Sequence, residues 1–491
     1  MNTEIHEVPA QFRNECGVIA EQYSHLQALH VLEAIKEMHP LPKASYESSI
    51  RAIFQATEVA LLNVADLVSR ATVDVRSRQF GAAMVRMSWV RGFHHVMVRV
   101  SMMPSQLGGM LNTTGMSSEL RIMASPAFQM YFESLRHFDS EMLGCIASGE
   151  LPIESLLSEH TLDNSLLHLL HLTRICNHET TIWENNLSTV VIPLLVSSYE
   201  EFVIPQGIRE AVYDTKLEGD TYYTQFRGLH QIPEILCAEI NNHIESSIQQ
   251  IRAKFLQDAY EHLSYANILS EGILASLAPL TDNLTTSDYH KIRENLGLTS
   301  GSHSVNIHYH LFRDLYSQLW DELAKYLLEG QEQLHSEPDI LKALRQVDLK
   351  RFEDHSAFLA HLLANELLKL RTFTYEWRNG HLHLPRNNVG GSYTKSLTGS
   401  PDAVETVKKM RDIALTKDPM QPLVDARDLA GVSGNVTNTP LTFYFGTQAS
   451  LDKEVLEKTG DITKERFKHV QERTGIFAKK SPFVPPPKYE V

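Results

Sequence analysis

The sequence predicts an all-α fold, and three observations predict it. Apolar residues recur at helical spacing through most of the chain, strand-type alternation is scarce, and the two halves carry similar segments in the same order. The window 50–71 sets Ile53, Phe54, Leu61, Leu62, Val64 and Leu67 close to one helical face. The same pattern runs through 81–103, 118–143, 165–195, 228–256, 258–280, 306–328, 340–378 and 401–416. Gly- and Pro-containing stretches at 104–114, 205–220 and 384–399 read as breaks between helices. From 417 the helical pattern weakens, and 441–445 is the one stretch that reads as a strand. The expected organisation is a helical domain over 1–210, a second helical domain over 211–416, and a loop-rich C-terminal extension over 417–491.

Composition narrows the function classes. A chain of 491 residues with 43% hydrophobic and 21% charged residues can bury a large core, so a folded, soluble protein is expected. A net charge of -15 argues against nucleic acid or an anionic membrane as the main partner. The N-terminus reads as polar and acidic rather than as a basic-plus-apolar leader, and the best apolar run, 188–197, is far too short for a bilayer, so no membrane span is expected. The four cysteines are scattered and form no CxxC pair, which fits a reducing cytoplasm and gives no support to a zinc ribbon, an iron–sulfur site or a disulfide scaffold. The phosphate-binding glycine motifs and the Gly-x-Ser-x-Gly nucleophile elbow are absent.

The repeat is read from paired segments. Phe54-x-x-x-Glu58 corresponds to Phe226-x-x-x-His230, and 84–101 corresponds to 259–276. Residues 125–136 align without gaps on 302–313, and Trp183-Glu-Asn-Asn-Leu187 corresponds to Trp377-Arg-Asn-Gly-His381. The first half therefore has Glu58 and Leu187 where the second half has two histidines. It reads as a degenerate copy without them.

Those two histidines are the strongest candidates for chemistry. Each stands beside aromatic and apolar residues in a helical pattern, and two such imidazoles can face opposite sides of a flat cofactor such as haem. A third segment, Asp288-Tyr289-His290-Lys291-Ile292-Arg293, puts Tyr289 and Arg293 on one helical face. A ring beside a guanidinium suits a planar substrate with a carboxylate, although an Arg–acid pair and a core Tyr explain the same spacing.

Taken in order, these motifs resemble tryptophan 2,3-dioxygenase and the wider haem-dependent aromatic oxygenases. The resemblance covers about residues 220–412. It rests on Phe226-x-x-x-His230-Gln231, on the Asp288–Leu296 segment followed by Ser300-Gly301, and on Trp377-Arg378-x-x-His381 followed by Thr398-Gly399-Ser400. It implies a helical bundle of the tryptophan/indoleamine 2,3-dioxygenase type, here with a degenerate N-terminal repeat and a loop-rich tail. It also implies haem b as cofactor, with His381 as the proximal iron ligand and His230 as the distal, catalytic histidine. Phe226 and Tyr289 then line the substrate ring, Arg293 binds the substrate carboxylate, and Thr398 lies in the segment that closes over the amino acid end. By position, Arg378 is a candidate partner for the haem propionates, as are Arg227 and Arg386.

The reaction implied is dioxygenation of a tryptophan-like substrate with O2. Mono-oxygenation of tyrosine or an indole with peroxide, haem binding without turnover, and a purely structural helical protein stay open at this point. The partners expected are an aromatic amino acid or indole and O2 or peroxide, with no nucleic acid and no membrane. The chain is expected to be a monomeric pseudo-dimer or a homo-oligomer.

Overall fold

A computed structural model describes residues 28–38, 40–108, 119–120, 122–148, 164–189, 192–193, 198–213, 222–296, 307–328, 337–389, 404–405, 407–409, 412 and 418–432. The described chain is predominantly helical. Its helices are α1 (Leu29–Met38), α2 (Tyr46–Arg76), α3 (Phe80–Ser101), α4 (Met103–Gly108), α5 (Pro126–Ala147), α6 (Asn164–Thr189), α7 (Tyr199–Val203), α8 (Pro205–Tyr213), α9 (Tyr223–Arg252), α10 (Leu256–Ala275), α11 (Leu277–Asn283), α12 (Thr286–Leu296), α13 (Ile307–Leu327), α14 (Glu337–Lys350), α15 (His355–Val389) and α16 (Gln421–Val432). Two short strands, β1 (Glu119–Leu120) and β2 (Ile192–Pro193), pair antiparallel with Leu120 opposite Ile192.

Packing divides the chain into two compact units. The first takes the described residues of Met1–Glu245, Ser264–Leu315 and Thr372–Thr416; the second takes those of Ser246–Leu263, Tyr316–Arg371 and Lys417–Val491. The core of the first unit is built on α2. Ser45 caps that helix in a reciprocal box: its hydroxyl accepts from the Ser48 amide at 3.0 Å, and the Ser48 hydroxyl accepts from the Ser45 amide at 3.0 Å. Most of α2 is buried, including Ile50, Ile53, Phe54, Leu61 and Val64, because α3, α5 and α8 pack around it. A helix apolar on more than one face is stable only when covered on each. By length and composition α2 would also suit a membrane span, which the sequence reading did not single out; nearly all of its apolar window is buried against protein.

The described residues of the segments paired in the sequence repeat lie on or beside α2, α3, α5 and α6 in the first half and α9, α10, α13 and α15 in the second. The helices α2 and α9 approach closely where Gly228 meets Asn63. A Cβ at Gly228 would stand 2.3 Å from Asn63 Nδ2. Gly228→Val is therefore expected to destabilise the protein by about 1–3 kcal/mol through overpacking, read as a lower chemical-denaturation midpoint. An unchanged midpoint would show that the contact yields freely.

The second unit gathers around Asp418. Its carboxylate accepts from Arg371 Nε at 2.5 Å, from the Tyr316 hydroxyl at 3.3 Å and from the Met420 amide at 3.0 Å. The helix α16, within a region expected to be loop-rich, follows at once and packs on α14. The window 340–378 is two helices rather than one. The first ends at Lys350, and the second starts behind Asp354, whose carboxylate accepts from the Ser356 amide at 2.9 Å as a local cap. The expected break at 205–220 contains α8, with Pro205 at its first position, where a missing N–H costs nothing. The expected strand at 441–445 lies outside the described residues.

Candidate functional site

Four residues of the predicted site lie close together in the first unit. His230 and Phe226 are one turn apart on α9, with ring centroids 4.2 Å apart. His230 Nδ1 lies 2.8 Å from the Phe226 carbonyl oxygen, an acceptor only, so Nδ1 carries the proton and donates. The lone pair is therefore on Nε2. Burial pushes the His230 pKa down, which keeps the ring neutral at pH 7.

His381 lies on α15, one turn after Trp377, and the two rings stack at 5.4 Å with 26° between planes. Its pKa falls to about 4, first because the ring is buried, then because charge on His230 and on Arg378 opposes its own. His230 and His381 are thus electrostatic neighbours, although they come from helices far apart in sequence. Among the described residues no hydrogen bond or ring contact joins them, and neither nitrogen of His381 has a hydrogen-bond partner. Both imidazoles lie deep in the protein yet keep accessible surface, so open space adjoins each of them. His383, two residues on, is exposed.

Arg378 extends the cluster. Its guanidinium lies 5.5 Å from the centre of the Tyr309 ring, and its Nε is buried without a hydrogen-bond partner. Tyr309, on α13, stacks on Trp377 at 4.6 Å with 29° between planes. Sequence reasoning did not single Tyr309 out. The available signal was its alignment with Phe132, which stacks on Phe128 beside Trp183 in the first half. Gly380 lets α15 press against α11, since a Cβ there would stand 2.9 Å from Leu277 Cδ1.

The other expected residues fall differently. Tyr289 is half-buried on α12, and its neighbour Asp288 acts electrostatically on Tyr222, one turn before Phe226. The N-terminal end of α12 therefore lies near the start of α9. Arg293 is on the next turn of α12, with its side chain outside the described residues, as is Thr398. Arg227 is buried and donates to the Val212 carbonyl, and Arg386 is exposed. Of the three arginines considered for an anionic cofactor, Arg378 is the one that acts electrostatically on His381, and its buried Nε has no hydrogen-bond partner. His308 is drawn toward Glu33, its Nε2 3.8 Å from Oε1, and burial lowers its pKa to about 4.

No protein-family model matches this chain, and no curated protein does either. Among the described residues no group of three or more His, Cys, Asp or Glu side chains converges as a metal held by protein alone requires. A metal carried by a macrocycle needs one or two axial protein ligands, and the His381 nitrogens stand without partners beside open space.

In the first half, the residues that align in sequence with this cluster pack against other side chains. The Tyr199 hydroxyl donates to Glu58 Oε1 at 2.5 Å, and the Tyr199 ring stacks on Phe54 at 5.7 Å. Phe202 adds an edge contact to Phe54 at 6.5 Å. Burial raises the Glu58 pKa, and hydrogen bonds from Ser125 and Tyr199 oppose that rise. Leu187 is buried, while Trp183 Nε1 donates to the Ser101 hydroxyl at 2.7 Å.

Proposed function

We propose that the chain is a haem-dependent oxygenase of the tryptophan/indoleamine 2,3-dioxygenase type, acting on a tryptophan-like substrate with O2. One observation carries the reading: two neutral imidazoles from separate helices, His230 and His381, neighbour each other electrostatically and border open space. The residues suit haem b. His381 would hold the iron as a neutral imidazole, and the unpartnered Arg378 Nε would pair with a propionate. When bound, haem would supply the centre that takes up and activates O2.

The remaining roles belong to side chains. With Nδ1–H committed to the Phe226 carbonyl, His230 offers Nε2 as an acceptor toward the pocket. It can therefore orient an indole N–H or a phenol O–H, and it can receive that proton. Phe226 packs against the ring, Tyr289 extends the wall, Arg293 pairs with the substrate carboxylate, and Thr398 closes over the amino acid end. The shared order of helices supports reading the first half as a degenerate copy, which makes the chain a pseudo-dimer.

An optical titration with haem, followed by tryptophan and tyrosine, tests the reading. A Soret band that saturates and then shifts on adding tryptophan is expected. Free-haem absorption unchanged by the protein would overturn it. Arg293→Leu should keep haem yet weaken tryptophan binding tens-fold or more, because an unpaired carboxylate in a pocket costs on the order of 2–5 kcal/mol. Equal affinity of the unchanged protein for tryptophan and tryptamine would count against that role.

A further inference from the structure

An imidazole that ligates a metal is normally oriented by a hydrogen bond from its other nitrogen to a carboxylate, a carbonyl or water. His381 has no such protein partner among the described residues. Its ring plane is set by something else, and the neighbours supply it. Trp377 lies almost parallel to the imidazole, 26° between planes with centroids 5.4 Å apart. On α13, Tyr309 stacks on the indole at 4.6 Å. Tyr309 is itself gripped by Arg378, whose guanidinium faces the phenol ring at 5.5 Å. Two residues of α15 thus clasp one ring of α13, and the stack runs Tyr309–Trp377–His381.

We infer that Trp377, clamped by Tyr309, is the positioning residue for His381: it fixes the imidazole plane by stacking, in place of a hydrogen bond. The inference rests on the haem reading above and names what holds the ligand there. Its chemical consequence is a ligand that stays a neutral imidazole. A hydrogen-bonded carboxylate would push the ring toward imidazolate, strengthen its donation and lower the iron reduction potential. Stacking orients the ring without that push. The structure therefore assigns Trp377 and Tyr309 to orientation and leaves the electronic character of the ligand unassisted.

The test has one arm without haem and one with it. In the haem-free protein, the His381 ring protons should show the ring-current shift of a stacked indole, assigned by loss of the signal in His381→Gln. Trp377→Leu should remove that shift, while Trp377→Phe should retain part of it. With haem bound, Trp377→Leu should broaden and move the iron–imidazole stretching band and weaken haem affinity by about ten-fold, within the range for losing an orienting partner. Trp377→Phe should restore most of both, and Tyr309→Leu should fall between. Melting curves identify any variant that has merely lost its fold, and the Phe variant serves in its place. An unchanged stretching band and affinity in a folded Trp377→Leu protein would overturn the clamp and leave the haem reading standing. Failure of the unchanged protein to take up haem would overturn that reading, and the clamp with it.

Discussion

On the haem reading, His381→Ala is expected to abolish stable haem uptake and His383→Ala to leave it intact. Two steps along a helix turn a side chain through roughly 200°, so these histidines cannot serve the same cavity. His383 is exposed, whereas His381 lies deep beside open space, with its nitrogens unpartnered and His230 as its electrostatic neighbour. Removing His381 also leaves a hole, because Trp377 loses the ring stacked on it. Added imidazole should enter that hole and restore part of the Soret band in His381→Ala. The measurement is a haem titration of the three proteins with and without imidazole. An unchanged band in His381→Ala, or a lost one in His383→Ala, sinks the assignment of the ligand.

How far the sequence discloses this molecule depends on whether local or distant residues decide a feature. The long helices were legible where burial of one face imposes a period, as in α3. The division between α14 and α15 was not, because one Asp354 cap overrides a continuous apolar pattern. The short α8 was hidden in a stretch marked by Pro205 and Gly207, since proline at a helix start reads the same as proline in a loop. In the site, the four-residue spacings of Phe226 and His230, and of Trp377 and His381, put each pair on one helical face in advance. Tyr309 was not foreseeable in that way, because its role comes from α13 meeting α15. Nor was the sorting of the arginines. Arg227 sits beside the distal motif in sequence, yet its guanidinium goes to the Val212 carbonyl.

On the same reading, haem is expected to saturate at one equivalent per chain. In the sequence alignment of the halves, Glu58 falls at the position of His230 and Leu187 at that of His381, so on the repeat reading the first half offers no imidazole at either position. The space beside Glu58 is also taken: Tyr199 reaches its carboxyl at 2.5 Å, and Phe54 is covered by Tyr199 and Phe202. Substituting both positions with histidine should therefore still fail to create a second haem site, because the plug remains. Tyr199→Phe should cost about 1–3 kcal/mol of stability, the cost of removing a donor from a buried acceptor, without changing the haem count. A fragment beginning at Pro205 should be insoluble or unstable. It loses α2, and with it the surface that covers α9 where Gly228 meets Asn63. Spectroscopic titration against protein concentration, with sedimentation of the fragment, checks both expectations. Two haems per chain, or a well-behaved fragment that binds haem, would show that the first half is an independent domain and not a filled copy supporting the second.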